Sequence, residues 1–201
     1  MSERNTVLRS LHDVGLAAWF GGSLMGAVGL NGAAKAQGAG WEEGARIASS
    51  GWALWAPVGA AAIGVHLVGS SGLLAANAAR IITQQGVAAS TLAKTVLTGA
   101  ALGATVYARV LGKKIELASS GDPQDAEKAE RVPVEAGQAE RHLSYAQWAV
   151  PALTCGLIIL NALHGEEQRP AQQLHGMLRR ARTLAPYVVR SHHWHPAHFT
   201  H

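Results

Sequence analysis

The chain has 201 residues, 48% of them apolar, with 17 Lys or Arg against 13 Asp or Glu. Its mean hydropathy is an ordinary +0.09, yet the charges are unevenly placed. A single cysteine, Cys155, excludes an internal disulfide framework and a cysteine-built zinc site, and the absence of H-E-x-x-H, G-x-S-x-G and P-loop patterns removes the common hydrolase and nucleotide-binding signatures.

No charged residue occurs between Asp13 and Lys35, between Arg46 and Arg80, or between Arg141 and Glu166. Each gap exceeds the roughly 20 residues that cross the hydrocarbon core of a bilayer. A helix of a soluble bundle carries polar positions every third or fourth residue on its wet face. Residues 14–34 have only Ser23 and Asn31 as polar side chains. The pattern predicts an all-α fold, a four-transmembrane-helix bundle at the cell membrane, over residues 1–165.

The first span is expected at 12–33. Arg4 and Arg9 ahead of it imitate the basic start of a signal peptide, but the run is long and Gly-rich and three more follow, which predicts a retained helix. A loop with Trp41, Glu42, Glu43 and Arg46 leads to the second span, 51–77, closed by Arg80, with Pro57 in its opening turns. The third span, 91–112, has 14 residues between Lys94 and Arg109, so both cations must snorkel to the interfaces. Residues 113–141 hold five Lys or Arg and seven Asp or Glu, with Gly121, Pro123 and Pro133. They read as a solvated, charged loop, parts of it helical on the membrane surface or feeding the fourth span and broken near Pro133. The fourth span is expected at 143–164, with an early Pro151. A basic tail, 166–201, carries Arg169, Arg179, Arg180, Arg182 and Arg190 and ends in SHHWHPAHFTH; its arginines suit anionic lipid headgroups.

In a four-helix hairpin arrangement Trp52, Trp55, Tyr107, Tyr145 and Trp148 all fall at one interface, the aromatic belt of a membrane protein. Lys and Arg are nearly balanced between the two sides. Because long loops translocate with little regard to charge, the reading places both termini in the cytoplasm. Membrane helices associate through close contact between small residues. Gly22 with Gly26, Ala60 with Gly64, and Gly99 with Gly103 supply that spacing, for the bundle itself or for a homo-oligomer.

Ten histidines stand out. His66 lies at membrane depth, where an ionisable side chain marks a functional site by default, unless the neutral ring shares its hydrogen with a carbonyl or Ser70. His12 and His164 share one interface and His142 lies at the other. Imidazoles on facing helices suit haem, iron or copper, which makes His12, His66 and His164 the cofactor candidates. In the tail, His192, His195, His198 and His201 recur every third residue, one edge of an extended polyproline-type helix, and are the metal candidates.

His12, Trp19, Gly21 and Gly22 read H-x6-W-x-G-G. Over about 20 residues this segment resembles the opening helix of copper-resistance-D-like membrane proteins, and YARVLGKKIELA and NALHGEEQRP resemble stretches of small actinobacterial membrane proteins. The first resemblance implies a bundle that binds or moves copper or supports a redox partner. The spans depart from it in having Met25 as their one methionine at depth and Cys155 alone.

No Asp or Glu lies at depth in any span, which argues against a carboxylate-driven transporter. Nucleic acid is a poor partner despite a pI of 9.6, because no aromatic-interleaved basic fold flanks the spans. The leading expectation is a non-enzymatic accessory or scaffold subunit that engages a membrane-protein partner through a tight bundle and loop three. The competing one is a haem- or metal-binding protein using intramembrane histidine. A third is a small transporter with a path past Ser70, Ser71, Asn77 or Asn161.

Overall fold

The computed structural model describes residues 5–78 and 85–167, of which 85–87 and 164–167 are described by backbone alone. The described residues form five helices and no strand: α1, Thr6–Gln37; α2, Trp41–Ala76; α3, Gln85–Ala118; α4, Pro123–Glu130; and α5, Ala136–Glu167. Four of them are long and apolar enough to cross a membrane, over Thr6–Gln37, Trp41–Ala76, Ala88–Ala118 and Ala136–Leu163. This architecture is compatible with a multi-pass membrane protein. The described residues up to Leu160 make one compact unit, and α5 runs on to Glu167.

The helices outrun the charge-free segments that announced them. α2 begins at Trp41, where a loop was expected, because the helix start is well supplied. Gly40 takes the extended N-cap conformation, Glu42 and Glu43 place negative charge in the first turn, and the Glu43 carboxylate accepts the Ala39 N–H at 2.9 Å. Pro57 consequently sits inside the helix rather than in its opening turns, as does Pro151 in α5. Each proline leaves the carbonyl four residues earlier, Ala53 or Gln147, without its helical donor. Membrane helices tolerate this because neighbouring groups re-satisfy the backbone.

Much of the expected loop 113–141 is also helical. α3 continues to Ala118 with a Lys113–Glu116 pair at 2.7 Å. Asp122 then caps α4 by accepting the Gln124 N–H at 2.8 Å, and Pro123 fills the first helical position. The chain breaks over 131–135, where Pro133 lies, before α5 begins.

Two cores hold this unit. Leu16, Trp19, Ala101, Val150 and Leu157 form one, drawn from α1, α3 and α5, with Ile63 of α2 packed against it. The other lies at the ends of the expected spans and just beyond them: Leu111, Ile115 and Ala139, flanked by Ala45, Val134 and Leu143. Lys114, only 6% exposed, fastens α4 over this second core. Its ammonium donates to the Val132 carbonyl at 2.7 Å and the Ala129 carbonyl at 3.2 Å.

Candidate functional site

Two polar assemblies sit inside this unit, near opposite ends of the α1–α2 pair. The first centres on His66, 1% exposed on α2. Glycines make it possible. A Cβ on Gly15 would fall 2.5 Å from the His66 backbone N and 2.6 Å from the Ala62 carbonyl oxygen, and a Cβ on Gly69 would strike the His12 backbone. Two helix backbones therefore touch at this point, as small residues permit. His66 Nδ1 lies 3.1 Å from the His12 carbonyl oxygen, and since a carbonyl can only accept, the ring donates through Nδ1–H. The Ser70 hydroxyl donates to the His66 carbonyl at 2.8 Å and leaves its oxygen 3.4 Å from His66 Nε2.

The His12 ring stands 4.5 Å from that of His66, centroid to centroid, and Trp19 closes the other side at 6.1 Å. His12 Nδ1 donates in turn to the Asp13 carboxylate at 2.8 Å. Both imidazoles thus anchor Nδ1 on an oxygen, the arrangement that orients metal-ligating histidines through their remaining nitrogen. Among the described residues no group of three His, Cys, Asp or Glu side chains could hold a metal ion. Two imidazoles alone would need a ligand from elsewhere.

The second assembly begins with a local irregularity that sequence reasoning missed. Gly26–Leu30 is a single π-helical stretch inside α1, in which the Asn31 N–H reaches back to the Gly26 carbonyl. Such insertions rotate the residues that follow and cluster at functional sites. Here Asn31 comes to face both neighbours: its oxygen accepts the Trp52 indole N–H at 2.9 Å and its amide donates to Gln147 Oε1 at 2.7 Å. Asn31 and Gln147 could have been flagged as uncharged amides at span depth, but their meeting depends on the π turn.

Around this clasp lies a cavity of about 1110 Å3, lined by all of Trp19, Trp41, Trp52 and Trp55 together with Ile63 and Val150. Pockets for drug-sized ligands span roughly 300–1,000 Å3, so the space would take something larger. Four charged side chains also line it: Lys35, Arg109, Glu116 and Glu140. The carboxylates are engaged, Glu116 with Lys113 and Glu140 with the Trp41 indole. Neither Lys35 nor Arg109 has an ion-pair partner among the described residues.

No protein family, curated protein or solved structure matches this chain. The likeness of the first helix to copper-resistance-D-like proteins accordingly stands without support from any relative.

The structure brings His12 and His66 together; it describes His164 only as a backbone position on α5, and His192, His195, His198 and His201 lie outside the described residues. Among the glycines, a Cβ on Gly22 would strike the Trp55 ring and one on Gly26 the Trp52 ring, whereas Gly64, Gly99 and Gly103 have open space beside them. Ser70 and Asn77, two of the side chains considered for a transport path, spend a donor on a carbonyl of their own helix. His142 Nδ1 lies 2.8 Å from the Tyr107 hydroxyl.

Proposed function

We propose that this protein is a non-enzymatic accessory or scaffold subunit of a membrane complex, with the cap formed by α4 and residues 131–135 as its docking face. The observation behind this reading is the Lys114 anchor. Joining two spans needs only a solvated linker, whereas here a lysine ammonium is buried and satisfied by two carbonyls to hold α4 in one position. The outer side of the cap exposes Glu127, Glu130, Arg131 and Glu135, a rigid, mixed-charge surface suited to a protein partner. The open glycines Gly99 and Gly103 of α3 support lateral contact with a second transmembrane helix, in a partner or another copy. On the expectation about loop three, both termini face the cytoplasm, which reporter fusions at each terminus would check.

Cross-linking in native membranes followed by affinity purification tests the reading. The wild-type chain should retain a defined partner, and a Glu127→Lys/Glu130→Lys variant should lose it while melting at the same temperature. Identical recoveries, or none from the wild type, would end the proposal.

The paired Nδ1 anchors of His12 and His66 favour a second reading, a protein that carries haem or a metal ion within the membrane. A visible absorbance band or stoichiometric metal in the purified protein, lost in His12→Gln as well as His66→Ala, would establish it. A colourless, metal-free protein would exclude it.

A further inference from the structure

The cavity around the Asn31 clasp has no part in either reading above. We infer that it binds one glycerophospholipid with an anionic headgroup, held as a structural ligand between α1, α2, α3 and α5. Three independent features select this occupant. The first is shape: along α1 the lining runs from Trp19 to Lys35, sixteen residues, or about 24 Å of helix. That length suits an extended amphiphile rather than a compact metabolite. The lining grades from Trp19, Ile63 and Val150 to the charged residues Lys35, Glu116 and Glu140, so one end is apolar and the other polar.

Charge is the second. Of four ionisable side chains in the lining, the two carboxylates are already engaged and the two cations are not. A phosphate is drawn to Lys35 and Arg109, the two lining cations without an ion-pair partner among the described residues.

Hydrogen bonding is the third. In the clasp, Asn31 uses its oxygen and one amide hydrogen, and Gln147 uses its oxygen. One Asn31 N–H and both hydrogens of the Gln147 amide remain as donors beside the cavity. The ester carbonyls of a glycerophospholipid are acceptors between headgroup and chains, where such donors are needed. An isoprenoid quinone would offer acceptors without the anion, and a free fatty acid the anion without esters.

Native mass spectrometry of the protein in mild detergent, titrated with phosphatidylglycerol, phosphatidylcholine, oleate or ubiquinone, tests the inference. One phosphatidylglycerol should bind per chain, roughly tenfold in preference to phosphatidylcholine. Lys35→Gln/Arg109→Gln should abolish the preference while leaving residual uptake. Ala60→Phe, which fills the apolar part of the lining and leaves both cations, should abolish the adduct. Equal binding of both phospholipids, preferential uptake of oleate or quinone, or an adduct unchanged in the double variant and in Ala60→Phe would overturn the assignment. Tryptophan emission and melting temperature measured on each variant separate loss of the lipid from loss of the fold.

Discussion

The α1–α2 and α3–α5 pairs use the same small residues in opposite ways. Between α1 and α2, Gly15 and Gly69 bring two backbones into contact, while Gly22, Gly26 and Gly51 receive the side chains of Trp55, Trp52 and Leu30. Between α3 and α5, Gly156 has only ordinary contact with Leu97 at 3.7 Å, and Gly99 and Gly103 face open space. Helices in lipid gain little from apolar burial, so the closeness of the first pair stabilises it chiefly through dispersion and the hydrogen bonds that proximity allows. A pair without such contact leaves room beside it. A G-x-x-x-G spacing therefore reports the capacity for close approach, and the partner decides whether it is used.

Valine substitutions give the sharpest contrast. Gly15→Val should destabilise the folded protein by about 3 kcal/mol, since its Cβ meets backbone that cannot rotate away. Gly99→Val should change stability by no more than about 0.5 kcal/mol. Reversible unfolding in mixed micelles measures both, and equal losses would erase the distinction between the pairs. Lys114→Met should cost about 2 kcal/mol by removing the two charge-assisted hydrogen bonds from the ammonium to the Ala129 and Val132 carbonyls. Its signature in hydrogen exchange is faster labelling of 123–135 with α1 and α2 unchanged.

Asn31→Ala should cost about 1 kcal/mol, the scale of an interhelical hydrogen bond in a membrane, and shift the emission of Trp52. An unshifted spectrum would mean that the clasp does not hold the indole. The smallest effect belongs to pH. The Lys128 hydrogen bond holds the Asp125 carboxyl below its ordinary value of 3.8. The associated stabilisation of α4 is present above the unfolded value and fades as pH falls through the folded one. Because Asp125 and Lys128 form a surface pair on α4, only local exchange in α4 should respond, and Asp125→Asn should remove that acid dependence.

Three of the four spans were legible because a bilayer leaves a direct mark on sequence, the exclusion of charge over some twenty residues, and the third span, with 14 residues between Lys94 and Arg109, because its cations could snorkel. Helix ends were not, because the mark reports where lipid stops. Trp41–Ser50 and 113–118 are helical in the region beyond, where Glu43 and the Lys113–Glu116 pair support helix without any apolar run. His66 was legible as a buried ionisable group, with Ser70 as one of its partners and His12 as a histidine grouped with it; that the His12 backbone carbonyl takes its ring hydrogen was not. The cavity was illegible: its lining comes from four helices, and the amide that organises it reaches its partners only through a π turn with no periodic signature of its own.

The tie between His66 and α1 has a genetic consequence. Its acceptor is the peptide carbonyl of residue 12, which every amino acid supplies. Replacing His12 therefore leaves the bond in place, while replacing His66 removes it. Substitutions at position 12 would judge this bond unimportant; those at position 66 would find it at once, and the tolerance of position 12 would reflect chemistry common to all residues rather than the absence of a contact.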